Sequence, residues 1–233
     1  MNSRAGSAPS LSISDGYAVY RGPVGGGGPI HRHGAFQIVV AGHHEVAMVD
    51  LAGTRHQATA LVVAPMAPHR ILAIRDLVTY FIEPHCLYAD DLRQRYGAGI
   101  AAAPELAGLC EPQVAAACRG QSEELDPRLV AALAMLADTN ITMPSLAAEV
   151  GLSPQRLRAL ARRELGMPLA RWRVWSRLRR AVEALQSGTP LTQAAITAGF
   201  ADQAHFTRQM REMMGLTPSV VRYALGDQRL RPT

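Results

Sequence analysis

Two stretches decide how this 233-residue chain is read: Leu146–Leu169, LAAEVGLSPQRLRALARRELGMPL, and Gln193–Ser219, QAAITAGFADQAHFTRQMREMMGLTPS. They align at an offset of 48–49 residues. Each places an alanine four residues before a glycine, Ala147 with Gly151 and Ala195 with Gly199. Each then supplies a residue whose side-chain oxygen suits the start of a new helix, Ser153 or Asp202. An apolar anchor follows four residues later, Leu157 or Phe206, and each second helix runs out at a glycine, Gly166 or Gly215, fit for a left-handed cap. A short helix, a tight turn and a second helix make a helix-turn-helix. One such copy would read equally well as a hairpin in a helical bundle; two copies in a basic region favour DNA. The connection Leu169–Gln186 is helix-like throughout. Its ~18 residues span about 27 Å, close to the ~34 Å between successive major grooves.

Outward from this repeat, the charge is divided. Residues 126–233 carry 15 Arg against 8 acidic residues, and residues 1–125 carry 9 Arg against 11. A basic half joined to a slightly acidic half places the polyanion-facing surface in the C-terminal half. No lysine is present, and the arginine excess, alongside abundant alanine, reads as coding bias rather than function. Met1–Tyr20 shows no apolar run of the secretory kind, and no stretch approaches the ~20 apolar residues that span a bilayer. The expected location is the cytoplasm, without membrane association. Cys86, Cys110 and Cys118 form no CxxC pair and are expected to be idle thiols.

The N-terminal section has a different texture. Gly25–Gly28 with Pro29 breaks the chain, and the first 28 residues are expected to be partly disordered. Short apolar or alternating runs follow at Phe36–Ala41, Glu45–Leu51, Ala60–Ala64 and Leu77–Ile82, punctuated by Gly42, Gly53, Pro65 and Pro68. They predict a small barrel or sandwich. Residues 89–122 are Ala-rich and read as helical pieces broken by Gly97, Gly99, Pro104 and Pro112; from Asp126 onward the pattern is helical. The expected fold is therefore α+β, with a barrel over 1–88, a helical linker over 89–125, two helix-turn-helix units over 126–225 and a tail over 226–233.

From Asp126 to Arg222 the chain resembles the AraC-type (AraC/XylS) transcription regulators. The string Gly199-Phe200-x-Asp202-Gln203-x-His205-Phe206-x-Arg208, continuing to Gly215-x-Thr217-Pro218 and Arg222, carries the resemblance. The first unit matches through Leu146, Ala147, Gly151, Ser153, Leu157, Arg162, Arg163, Glu164 and Gly166. It departs at Ala159, Leu160 and Ala161, where the family usually has Arg, Leu and Phe, which implies weaker DNA contact there or reliance on neighbours. Helical geometry turns Leu157, Leu160, Ala161, Phe206 and Met210 inward. It leaves Gln155, Arg156 and Arg158 on the first reading helix, and Gln203, His205, Thr207 and Arg208 on the second, as candidate base contacts. Arg162, Arg163, Arg173, Arg177, Arg180 and Arg211 are candidate phosphate contacts; a solvated helix face is the alternative for each. Trp172 and Trp175 are expected to be core anchors between the two units.

Pro29-Ile30-His31-Arg32-His33-Gly34-Ala35-Phe36-Gln37, followed by Ala64-Pro65-Met66-Ala67-Pro68-His69, is similar to the two signature stretches of cupin barrels. Alternation along a strand would put His31, His33 and Gln37 on one face, with His69 arriving from a later strand. The cupin resemblance implies a divalent metal held by three His and a Glu; here Gln37 stands for the Glu and is a poorer ligand. AraC-type sensor barrels usually carry no metal, so no cofactor is expected. The four residues then line an effector pocket, with a metal as the alternative. His43, His44 and His56 are read as turn or surface residues. The resemblance further implies a homodimer, with contacts between Tyr88 and Glu124 and Leu87, Leu92, Ile100, Leu106 and Leu109 as the candidate surface. Packing within the domain is the alternative for these leucines. The reading that follows is a non-enzymatic regulator binding promoter DNA, a small-molecule effector and RNA polymerase. Two alternatives stand beside it: a metal-dependent cupin enzyme with a DNA-binding appendage, and a constitutive DNA-binding dimer.

Overall fold

The computed structural model describes residues 8–42, 44–138 and 141–226. His43 and, apart from Gly226, the 226–233 tail lie outside the described residues, as do the first seven residues of the stretch expected to be partly disordered.

Nine strands build the N-terminal part: β1 (Ser10–Ser14), β2 (Tyr17–Val24), β3 (Phe36–Val40), β4 (Val46–Asp50), β5 (Arg55–Ala58), β6 (Ala60–Val63), β7 (His69–Ile71), β8 (Ile74–Ile82) and β9 (Ile100–Ala102). They form a six-stranded sheet in the order β1-β2-β8-β3-β6-β9 and a three-stranded sheet in the order β5-β4-β7. All pairings are antiparallel. The central strand β3, FQIVV, is buried along its whole length, so it reads as a continuous apolar run rather than an alternating one.

Two expectations are corrected here. Residues 10–24 are ordered strands, not a flexible lead: β2 pairs with β8 from Tyr17–Ile82 to Val24–Ile74 and buries Tyr17, Val19 and Tyr20. Their partner lies some sixty residues away, which local pattern does not reveal. The run 89–122 is not all helix either. It holds α1 (Tyr88–Tyr96), β9, a 3₁₀ turn at Pro104–Leu106 and α2 (Glu111–Ala117). Ile100–Ala102 adds to the sheet edge beside β6, and Pro104 and Pro112 begin helical turns instead of breaking them. The segment packs on the barrel. Leu92 is fully buried, Ile100, Leu106 and Leu109 pack against the core, and only Leu87 is substantially exposed. Leu92 is therefore taken up by packing within the domain, while Leu87 keeps an exposed face.

The C-terminal part is helical: α3 (Pro127–Asp138), α4 (Met143–Glu149), α5 (Pro154–Leu165), α6 (Leu169–Gln186), α7 (Leu191–Thr197), α8 (Gln203–Met214) and α9 (Pro218–Ala224). The repeat appears as α4–α5 and α7–α8, joined by α6 with the limits read from the sequence. Ser153 accepts a hydrogen bond from the Arg156 N–H at 3.2 Å, and Asp202 from that of His205 at 2.6 Å. Gly166 and Gly215 close the two second helices in the left-handed region, at φ +68° and +66°. Leu157, Ala161, Phe206 and Met210 are fully buried. Among the described residues no helix is long and apolar enough to cross a membrane.

The tryptophans divide their work differently from expectation. Trp172 packs inside the helical part and donates from Nε1 to the Leu133 carbonyl at 3.3 Å. Trp175 faces the barrel. Its Nε1 donates to Glu83 Oε1 at 3.3 Å, its ring lies 6.0 Å from Phe81, and a Cβ on Gly34 would meet it at 2.9 Å. It anchors α6 to the barrel, not one helix-turn-helix to the other.

Candidate nucleic-acid interface and sensor cavity

On α5, Gln155, Arg156, Arg158, Arg162 and Arg163 are exposed while Leu157, Leu160 and Ala161 face inward. Arg163 pairs with the neighbouring Glu164 at 2.6 Å. On α8, Gln203, Arg208 and Arg211 are exposed, and Arg208 and Arg211 have no side-chain partner among the described residues. The Gln203 amide oxygen accepts from Thr192 Oγ1 at 2.8 Å, which ties the start of α8 to α7. Thr207 Oγ1 donates to the Gln203 carbonyl at 2.8 Å, and the half-buried His205 ring lies edge-on to Phe200 at 5.4 Å. Of the candidate base contacts on α8, Arg208 is thus the most available, whereas His205, Thr207 and the Gln203 amide oxygen already have local partners.

The arginines of α6 are engaged. Arg173 donates to the Ile141 carbonyl just before α4 at 2.6 Å, and Arg180 to the Ala198 carbonyl at the end of α7 at 3.2 Å. Arg177, between them, is pushed below its ordinary value by burial and then by repulsion from Arg173 and Arg180. Arg173 and Arg180 thus tie the first helix of each helix-turn-helix to the linker helix, a positioning role that the phosphate reading left out.

Two features join the barrel to the helices, and sequence reading found only one. The missed one is Glu83, only 4% exposed at the end of β8. Its Oε2 lies 2.6 Å from Arg179 Nη1, and Arg179 also donates to the Ser14 carbonyl and to Glu183. Burial works against the Arg179 charge, but the Glu83 carboxylate outweighs it and raises its pKa. A lone Glu closing an apolar strand, TYFIEP, was the available signal. Cys86 and Cys118, read as idle thiols, are both buried beside this node. His56 pairs with Asp50 at 3.0 Å.

The second feature is the histidine cluster. His31 and His33 lie on an irregular segment before β3, so strand alternation is not what brings them together. Instead His31 and His69 exchange main-chain hydrogen bonds of 2.9 and 3.0 Å, and the three rings meet with centroids 4.6–5.0 Å apart. One ligand nitrogen from each lies within 4.8 Å of the others. Nδ1 of His31 faces the Pro29 carbonyl at 3.1 Å and Nδ1 of His69 the Ala67 carbonyl at 2.9 Å. Each therefore carries its proton on Nδ1 and leaves the Nε2 lone pair free. The main chain at Met213 and the Gln37 amide lie close to His33, yet neither of its ring nitrogens completes a hydrogen bond. His69 Nε2 and Gln37 Oε1 are likewise buried without partners. Burial, with repulsion from the neighbouring rings, pushes His33 well down and His69 to about 3. Three neutral imidazoles with oriented lone pairs suit a divalent transition metal; the Gln37 amide is the one departure from the cupin set.

The unfolded imidazoles bind protons near their ordinary value, whereas the folded His33 and His69 do so only far below it. Metal-stripped protein is therefore expected to lose stability as pH falls from about 6.5 toward 3, by up to about 1.4 kcal/mol per pH unit for each histidine. Urea midpoints across that range test this; a flat profile contradicts neutral burial.

Gln37 and His31 also line a cavity of about 660 Å³ between the barrel mouth and α8–α9. Tyr20, Phe81, Leu216 and Val220 give it apolar walls, and Arg70 and Arg75 make one side basic. Arg70 Nε is buried there without a partner.

The architecture is thus a barrel of strands packed on two helix-turn-helix units, which one helix joins to each other, with a cavity where the barrel meets the second unit. A family model described as a helix-turn-helix domain matches residues 146–224. The Escherichia coli bifunctional transcriptional activator/DNA repair enzyme Ada is 30% identical over 165 residues, 64% of this chain and 46% of that protein. The E. coli arabinose operon regulatory protein is 36% identical over 88 residues, 37% of this chain and 30% of its own. The chain thus spans less than half the length of these relatives. ToxT from Vibrio cholerae, in a structure with an unsaturated fatty acid bound, shares the fold at TM-score 0.59 and 10% identity, over 92% of this chain and 98% of that one. Residues 146–224 of this chain form a helix-turn-helix domain.

Proposed function

We propose that the chain is a one-component transcription regulator that reads two adjacent major grooves of promoter DNA under the control of a small molecule. The observation carrying this is the pair of capped helix-turn-helix units, each presenting exposed Arg and Gln side chains and held on one 18-residue helix. Gln155, Arg156, Arg158, Gln203 and Arg208 read base edges, with His205 and Thr207 shaping the α8 surface; Arg162, Arg163 and Arg211 bind phosphates. Arg173 and Arg180 chiefly hold the units in place, and Arg177 between them adds to the basic row that faces phosphate.

The effector is assigned to the 660 Å³ cavity. Its apolar walls and the unpartnered Arg70 Nε suit an amphipathic carboxylate, which the fatty acid held by the ToxT structure supports. Because barrel and α8–α9 share the cavity walls, a ligand filling it changes how the second unit is presented. That is a population shift, effective only as far as the ligand prefers one arrangement. The proposed setting is cytoplasmic and non-enzymatic, with a homodimer and RNA polymerase as further partners.

The test is binding of the full chain to fragments of its own promoter region across a salt series with nonspecific competitor. Selective binding that weakens steeply with salt is expected; no selective binding with or without candidate carboxylates overturns the reading. Arg208→Ala is expected to cost about 1–3 kcal/mol of binding and to relax preference at one base position. An unchanged affinity and footprint removes Arg208 from the base-reading set.

A further inference from the structure

We propose that His31, His33 and His69 bind one divalent transition-metal ion, and that this ion fastens the barrel to the C-terminal end of α8. The binding half stands apart from the DNA reading; the fastening half extends it by naming what couples sensor to reader.

Among the described residues these three histidines form a group able to hold a metal, with ligand nitrogens within 4.8 Å of one another. Buried polar atoms nearly always find hydrogen-bond partners. Here both nitrogens of His33, Nε2 of His69 and Oε1 of Gln37 have none. A metal gives one nitrogen of His33 and Nε2 of His69 a partner at once. The carbonyls of Pro29 and Ala67 hold the proton on Nδ1 of His31 and His69, as outer-shell groups do for metal-bound histidine. With imidazole donors and no carboxylate or thiolate, the set selects zinc, nickel, cobalt, copper or ferrous iron over magnesium or calcium. Nitrogens on a tetrahedral centre with bonds of roughly 2.0–2.1 Å lie about 3.3 Å apart, so loading draws the rings inward. The cavity beside His31 and Gln37 gives the ion an entry path and leaves a coordination position facing the effector space.

The same residues touch the reading unit. A Cβ built on Gly215, the left-handed cap of α8, would stand 2.6 Å from His31 Nδ1. The Arg32 N–H donates to the Glu212 carbonyl at 3.3 Å, and the Met213 main chain lies beside His33. Immobilising His31 and His33 therefore immobilises the segment that holds the last turn of α8.

The probe is Co²⁺, titrated into tag-free, chelator-stripped full-length protein and followed by visible absorption and by bound metal per chain. One equivalent with ligand-field bands is expected. His31→Ala, at the least buried ring of the three, is expected to weaken binding by at least about 100-fold, the upper end of the cost of losing even an outer-shell partner. His69→Gln is the second variant, and circular dichroism verifies that each is folded. Substoichiometric uptake, or unchanged affinity in a folded variant, overturns the metal site. For the fastening half, amide hydrogen exchange over residues 211–217 is expected to slow on Co²⁺ loading, and equal rates with and without Co²⁺ overturn it. Neither readout uses DNA, so failure here and failure of the regulator reading are distinguishable.

Discussion

Phe206→Ala is expected to lower the stability of the second helix-turn-helix by about 3–5 kcal/mol and to abolish DNA binding. The side chain is fully buried, one turn past the Asp202 cap, with the Phe200 ring 5.2 Å away. It pins the start of α8 at the angle that exposes Gln203 and Arg208. Truncation removes the buried ring's transfer free energy and leaves a cavity that two neighbouring helices cannot close without shifting. Hydrogen-exchange protection in 191–214, with urea unfolding beside it, measures the loss. A cost under about 1 kcal/mol would mean that the ring is not the anchor of the turn.

Glu83→Ala is expected to cost about 3 kcal/mol, the lower end of the range for breaking a buried ion pair. Arg179 keeps its bonds to Ser14 and Glu183, which moderates the penalty, but Trp175 Nε1 loses its acceptor. Glu83→Gln should recover part of the loss, because an amide oxygen still accepts from Trp175 while Arg179 is left with Glu183 as its one carboxylate partner. Both variants weaken the same junction between β8, β1 and α6, so the barrel should become easier to separate from the helices by limited proteolysis. Equal stability of wild type and Glu83→Ala in chemical denaturation would show that the pair is dispensable.

How much of this was legible depended on distance along the chain. The α5 and α8 caps, their inward anchors and the limits of α6 are local features, written within a few residues of one another, and the structure has them where the pattern places them. β2 and β9 owe their order to partners far away, β8 and β6, and IAA is too short to announce a strand; the alternation in SLSIS was legible but went unread. Trp175 looked like any helix-core aromatic because its acceptor, Glu83, lies 92 residues earlier. The α6 arginines looked like a phosphate-facing row, since sequence does not show that the Ile141 and Ala198 carbonyls wait beside them. The histidines were read from the cupin resemblance with the wrong local reason. A main-chain bridge between His31 and His69, rather than strand alternation, brings them together.

The central claim is that one chain reads two successive major grooves. A hydroxyl-radical footprint of the full chain on its own promoter tests it most directly. Per bound chain, the account predicts two protected segments on one face of the duplex, about 10–10.5 base pairs apart, with the segment assigned to α8 weakened by Arg208→Ala. A single protected segment per chain, or two that both survive Arg208→Ala and Phe206→Ala unchanged, would contradict it.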